Sequence, residues 1–464
     1  MTPREQVIDK IKKDDAPDLL LRTFLHYYDQ LEQGATGMID QSMIQPLETA
    51  PDLEKLPDYR QPGINALSRA AVLKLNGGLG TGMGLDKAKS LLPVRAGLSF
   101  LDIIIEQVLH LRNALQKPLP LIFMNSFSTD ADTQAVLQKY KKLPAGQAGV
   151  PLAFLQNRVP KILQDTLAPA SWPANPEKEW CPPGHGDLYT AMLTTGVLEQ
   201  MLNAGIEYLF VSNSDNLGAT LDAGILGYFA QERLPFMMEV ADRTAADRKG
   251  GHIARLRTGG LVLRESAQCP DDETASFQDI TKFKYFNTNN LWINLPALQA
   301  ELQRRDGIPG LPLIRNAKTV DPGDATSPQV YQLETAMGAA LECFEDAAVL
   351  RVPRTRFAPV KTTDDLLALW SDCFILDDDM IIKPNPARGG KNIDIRLDPA
   401  HYKMISGFLE RFPDGAPSLT ECTSLTVNGD VRFGKNVRIY GHAVIANNSP
   451  GQMVIENREF RGSE

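Results

Sequence analysis

Within AVLKLNGGLGTGMGLDKAKSLLPV (71–94), Gly77, Gly78, Gly80, Gly82 and Gly84 separate a short apolar run from Lys87 and Lys89. Glycine tolerates φ > 0 and lets backbone amides come close to an anion. A strand–loop–helix arrangement would set those amides at a positive helix end, with Lys87 or Lys89 as the cation. Two familiar phosphate motifs fail on spacing. A dinucleotide fingerprint, G-x-G-x-x-G, needs glycine where Met83 stands, and a P-loop needs glycine directly before its lysine, where Ala88 stands. A phosphate and base cradle of another kind remains.

Four further stretches carry candidate chemistry. In PPGHGDLY (182–189) two prolines stiffen the entry and two glycines flank His185, so the loop can approach a ligand closely; Asp187 reads as the cap of the next helix. VSNSDNLGAT (211–220) ends an apolar strand with Asn213 and Asp215. One carboxylate beside amides suits a hard cation such as Mg²⁺ shared with phosphates, or an Asx turn capping the following helix. In FNTNNLWINL (286–295) strand alternation puts Asn287 and Asn289 on one face, where paired amides suit a hydroxyl-rich ligand or simply an exposed edge. PVKTTDDLL (359–367) ends a strand at Lys361 and starts a helix capped by Thr362 or Thr363.

These residues need a scaffold, and the apolar pattern supplies one. Residues 3–33 predict two short helices, and QPLETAPDLEKLPDYRQPG (45–63) predicts extended chain crossing a surface. From about residue 70, short apolar runs (AVLKLN, LPLIFMNS, PLAFLQN, YLFVSNSD, FMMEVAD) alternate with helical ones (FLDIIIEQVLHLRNAL, DTQAVLQKYKK, DLYTAMLTTGVLEQMLNAG). That alternation predicts an α/β fold with a mostly parallel sheet whose strands are buried on both faces. The glycine loop and SNSDN then fall at carboxyl ends of strands, where such sheets bind ligands. From residue 419 the pattern changes. Leu419, Leu425, Val431, Val437 and Ala443 recur every six positions, with a second row at Val427, Phe433, Ile439 and Ile445. A six-residue period is the mark of a β-helix. The divisions expected are 1–65 (helical lead and connector), 66–390 (catalytic domain) and 391–464 (β-helix).

Composition sets outer bounds. The 464 residues, 43% apolar and 23% charged, describe a globular protein, and a formal charge of −9 argues against nucleic acid or an anionic membrane as partner. Five scattered cysteines read as free thiols. The opening MTPREQVIDKIKKDD is too charged for a signal peptide and no apolar run reaches membrane-spanning length, so a cytoplasmic protein is expected.

Taken together, LKLNGGLGTGMG, KSLLPV, LIFMNSF, PPGHGDLY, FVSNSDNLGATLD, KGGHI, KFKYFNTNNLWINL, VYQLETAMGAA, VPRTRFAPVKTTDDLL and SLTVNGDVRFGKNV resemble the UTP–glucose-1-phosphate uridylyltransferase family, in family order over roughly residues 65–445 and in its eukaryotic-type branch. Two positions depart: the family usually has Ser at Gly82 and Pro at Ala88. The resemblance implies a Rossmann-like nucleotidyltransferase domain, helices on both faces of its sheet, followed by a short left-handed β-helix. It implies that the backbone from Leu75 through Asn76 and Gly77 to Gly78, with Gln156 and Gly184, holds uridine and ribose, and that Lys89 meets the UTP phosphates. His185, Asn213, Asn287 and Asn289 would hold glucose 1-phosphate, Asp215 would ligate Mg²⁺, and Lys361 would bridge phosphates of both reactants. Products would be UDP-glucose and pyrophosphate. A phosphate oxygen attacking phosphorus is already anionic, so the site needs charge neutralisation and positioning rather than a general base. Glycines, lysines, amides and one carboxylate match that need. Alternatives are a broader sugar specificity, galactose 1-phosphate included, or a non-catalytic sugar-nucleotide sensor. An acyltransferase is disfavoured, because His442 is the single histidine in a short repeat. The repeat offers an edge for homo-oligomerisation.

Overall fold

The computed structural model describes residues 1–95 and 97–463. Its centre is a mixed sheet with a parallel heart. Strand Ala70–Asn76 lies between Leu121–Asn125 and Tyr208–Asn213, parallel to both, and Ala153–Leu155 extends the parallel set beyond Leu121–Asn125. On the other side Tyr285–Asn294 runs antiparallel to Tyr208–Asn213 and to Phe236–Asp242. The inner strands are apolar on both faces because both faces are covered. Helices Phe100–Leu115 and Ala223–Gln231 belong to one core, and Asp187–Thr194, Val197–Asn203 and Leu295–Arg304 to the other. Ala153–Leu155 is an edge strand and only partly buried, which its apolar run did not foretell.

Several local expectations change. The connector is not simply extended: it adds strand Ile44–Pro46 to the sheet and forms helix Arg60–Ala66. Gly63 lets that helix press on Ala223 and Gly227, an approach no Cβ would allow. Residues 187–205 make two helices rather than one, broken at Gly196 (φ +74). The glycine loop leads into three-residue 3₁₀ turns, Thr81–Met83 and Lys89–Leu91, rather than into an α-helix. The first two helices, Pro3–Lys13 and Asp18–Glu32, form as expected and pack beside a small sheet of Ile162–Leu163, Ile314–Thr319 and Gln329–Glu334.

At the C-terminus Asp394–Leu397, Cys422–Asn428, Arg438–Ala446 and Glu459–Ser463 stack in parallel, with a second ladder of Val431–Phe433 and Met453–Ile455. Leu425 sits over Ala443 and Val427 over Ile445, a spacing of three hexapeptides. Both hydrophobic rows are buried. They share one core with the sheet face around Phe100–Leu115, so the repeat is welded to the sheet domain.

Candidate active site

A cleft of about 390 Å³ opens where the parallel strands end at their carboxyl termini. The glycine loop supplies Leu75, Gly77 and Gly78, the next turn Lys89, the edge strand's exit Gln156, and the 182–186 loop Gly184 and His185. Asn213 and Asp215 close it from the strand Tyr208–Asn213. Chain segments well over a hundred residues apart thus converge: the glycine loop, Gln156 and the Asn213–Asp215 stretch follow strands of the central sheet, and the 182–186 loop comes in from the separate pair of Val159–Pro160 and Trp180–Cys181.

The glycines have distinct jobs. A Cβ on Gly77 would press the Gln156 amide at 3.0–3.2 Å, while one on Gly78 would meet nothing within 4 Å. Gly77 therefore seats Gln156, and Gly78 presents bare backbone to the cleft. Gly184 adopts φ +77, and a Cβ there would stand 2.5 Å from the Thr335 carbonyl oxygen. Gly82 also faces open space without a left-handed φ, so the departure from Ser there leaves the backbone unconstrained. The Lys89 N–H donates to the Gly78 carbonyl (3.0 Å), folding the lysine back over the loop. Its side chain, not that of the exposed Lys87, enters the cleft.

Charges pair directly. Lys89 Nζ donates to Asp215 Oδ2 at 2.6 Å. His185 Nδ1 accepts the Met337 N–H (3.0 Å), so a neutral ring carries its proton on Nε2 and can donate from there. Burial pushes its pKa down to about 4, which keeps it neutral. Asp187 does not cap its helix; it is the first helical residue, and its carboxylate accepts the Asn157 N–H and Nδ2–H at 2.6 and 2.8 Å. Burial pushes that carboxyl up to about 7. Nor does SNSDN cap a helix, since Asp222 caps Ala223–Gln231.

Asn76 differs from its neighbours in the loop. Its side chain turns into the sheet, donating to Asn125 Oδ1 and Thr133 Oγ1 at 2.8 Å, so only its backbone can serve a ligand. Asn287, Asn289 and Lys361 do not line the cleft but gather beside it. The strand carrying the two asparagines is interior, not an edge, and a bulge interrupts its alternation. Asn289 takes φ +58, and Asn287 Nδ2 donates to Asn289 Oδ1 (3.0 Å). Asn287 Nδ2 also reaches Glu265 Oε1 at 3.3 Å. Lys361 is exposed, with Nζ 5.8 Å from the centre of the Phe286 ring. Burial raises the Glu265 carboxyl, against the pull of Asn287 and of the Lys361 charge. No strand ends at Lys361; before it the chain makes one isolated β-bridge, Asn216 to Pro359, and Thr362 forms a capping box with Asp365.

Sequence reasoning missed Glu265, Gln332 and Glu334. The last two reach the cleft from the small sheet, and nothing in their spacing marks them.

Comparison with known proteins shows the family to which the chain belongs. The model of the UTP–glucose-1-phosphate uridylyltransferase family matches residues 21–440. The enzyme of that name from Solanum tuberosum is 41% identical over 407 residues, 86% of this chain and 82% of its own. The Saccharomyces cerevisiae enzyme is 42% identical over 388 residues, 83% and 76% of the two chains. Among crystal structures, a Leishmania major UDP-glucose pyrophosphorylase mutant in complex with UDP-glucose matches with TM-score 0.93 and 43% identity, covering 100% of both chains. A Trypanosoma brucei structure described as UDP-glucose phosphorylase matches at 0.89 and 44%, covering 98% of each. By family model and by full-length relatives, the chain belongs to the UTP–glucose-1-phosphate uridylyltransferase family.

Proposed function

We propose that the chain transfers the uridylyl group of UTP to glucose 1-phosphate, giving UDP-glucose and pyrophosphate, in a Mg²⁺-dependent in-line reaction. The observation that carries this reading is the convergence of bare glycine backbone, Gln156, His185, Asn213 and the Lys89–Asp215 pair in one cleft. The chain's full-length likeness to relatives bound to UDP-glucose supports the substrate class.

In this reading the backbone from Leu75 to Gly78, with Gln156 and Gly184, carries uridine and ribose, and Lys89 meets the phosphates. His185, donating through Nε2, and Asn213 hold the sugar phosphate from one side; Asn287 and Asn289 hold it from the other. Lys361 spans the phosphates of both reactants. These residues neutralise and align two polyanions whose repulsion is the main barrier. Asp215, flanked by the polar Asn213 and Ser214, offers one carboxylate to the cleft, a donor set that fits a cation taking its other ligands from phosphates and water. A Mg²⁺ ion held by Asp215 would add to the neutralisation of phosphate charge that Lys89 provides.

We also read the C-terminal ladders as a short left-handed β-helix whose open edge lets copies associate, and the protein as cytoplasmic. The in-register parallel stacking and the buried rows support the first point. Among the described residues no helix is long and apolar enough to cross a membrane. Sedimentation of the full chain tests the association.

Pyrophosphate release tests the reaction, with UTP and Mg²⁺ against glucose 1-phosphate, galactose 1-phosphate, and TTP in place of UTP. Release with UTP and glucose 1-phosphate alone supports the reading in full. Equal rates with both sugars broaden the specificity. Nucleotide binding without release in any tube refutes it in favour of a sensor.

A further inference from the structure

Asp215 and Lys361 stand on segments that are far apart in sequence, yet a buried polar assembly zips those segments together. Asn216, 1% exposed, is at its centre. Its Oδ1 accepts the Ala358 N–H (3.1 Å), and its Nδ2 donates to the Arg356 carbonyl (3.1 Å). On either side, the Val360 N–H donates to the Asp215 carbonyl (3.3 Å), and Arg356 Nη2 donates to the Thr220 carbonyl (2.9 Å). Gly218 lies so close to the Thr355 carbonyl that a Cβ would collide with it.

Behind this seam lies an ion pair. Arg356 donates through Nε and Nη2 to the two oxygens of Glu239 at 2.8 and 2.6 Å. Glu239 is fully buried and also accepts from Asn290 Nδ2 (3.0 Å) and Trp292 Nε1 (2.9 Å). Four donors on one carboxylate leave it few alternative arrangements. Buried pairs of this kind add little net stability compared with apolar packing, but they can restrict the chain to one geometry. Here the restricted geometry is the spacing between the Asp215 loop and the Lys361 segment. Neither Asn216 nor Arg356 lines the cleft, so any effect on the reaction is indirect.

We infer that Asn216, backed by the Arg356–Glu239 pair, is a positioning residue that clasps the Asp215 loop to the Lys361 segment and sets the spacing of the two charged groups for the transfer step. The inference rests on the reading that Asp215 and Lys361 meet the reactants. A misplacement of about 1 Å can cost on the order of 10²-fold in rate. Asn216→Ala therefore lowers kcat by about 10- to 100-fold while the equilibrium affinity for UTP changes less than about twofold, because the nucleotide-facing backbone at 75–78 is held by other bonds. Asn216→Asp keeps the acceptor for the Ala358 N–H but turns a second oxygen toward the Arg356 carbonyl and Asn290 Oδ1, so its kcat falls as well. Ile225→Ala, in a helix outside the seam, serves as the control that lowers Tm without touching kcat. If Asn216→Ala and Ile225→Ala, compared at equal distance below their own Tm, have the same kcat, the clasp has no positioning role and the inference is overturned. Lys361→Ala is assayed alongside. Its normal turnover would overturn the underlying site assignment instead, and the clasp with it.

Discussion

Gly78→Ala separates what the glycine loop does for the fold from what it does for a ligand. A methyl at this position meets no protein atom within 4 Å, and the backbone is not in the left-handed region. Alanine also has fewer unfolded conformations to lose than glycine, which stabilises a compatible site by about 0.4–1 kcal/mol. The variant should therefore melt at or slightly above the parent temperature. The space the methyl enters is the cleft itself, bordered by Lys89 and Gln156. If nucleotide lies on that backbone, the methyl holds it off, and loss of a close contact worth about 1.4 kcal/mol is a tenfold loss of affinity. Thermal denaturation and calorimetric UTP titration on the same preparation read the two effects. A Tm no lower than the parent's, with UTP affinity at least about tenfold weaker, is the expected pair. Affinity within about twofold of the parent would refute the argument, since the open face of Gly78 would then not belong to the nucleotide. Gly184→Ala is the contrast: its φ of +77 and the 2.5 Å approach to Thr335 predict loss of stability as well as of binding.

The same geometry predicts other outcomes. Lys361→Ala lowers turnover at least ~10²-fold in a pyrophosphate-release assay, the scale of losing one electrostatic stabiliser; near-normal turnover removes Lys361 from the site. Asp215→Ala abolishes activity or its Mg²⁺ dependence, and it leaves Lys89 without its 2.6 Å partner; an unchanged Mg²⁺ titration would reject the metal assignment. His185, with a folded pKa near 4 against an ordinary value of 6.5, takes up its proton in the unfolded chain first. Its contribution to stability is present above pH 6.5 and is lost as pH falls toward 4. An imidazole NMR titration should show it neutral at pH 5.5. Gly82→Ser, the residue usual in relatives, shifts stability by less than about 0.5 kcal/mol, because its side chain would enter open space.

Much of the site is legible in the sequence because its residues sit at strand ends. An apolar run followed by glycine or by asparagine and aspartate marks a carboxyl end, and a parallel sheet brings such ends to one side. For that reason Gly77, Asn213 and Asp215 stand out in the chain itself, whereas Gln156 is marked only by the family resemblance. The hexapeptide rows are legible too, since burial in a stacked coil must repeat with the coil.

What sequence alone could not decide was which side chains turn toward the ligand and which toward each other. Asn76 looks like its neighbours in the motif, but Asn125 and Thr133 draw its amide inward. Asp187 stands where a cap belongs, yet Asn157, thirty residues away in the chain, claims its carboxylate. The bulge beside Glu239 overrides the alternation expected at Asn287 and Asn289. Glycine pattern and hydrophobic period are local properties of the chain, fixed by steric freedom and by the need to bury apolar surface. The partner of a polar group is a long-range property, chosen among all groups that folding brings within about 3 Å. The sequence therefore determined the parallel part of the sheet, the glycine loop and SNSDN at its carboxyl end, and part of the cleft's lining. The tertiary structure alone decided that Lys89 faces Asp215 and that Asn216 joins the Asp215 loop to the Lys361 segment.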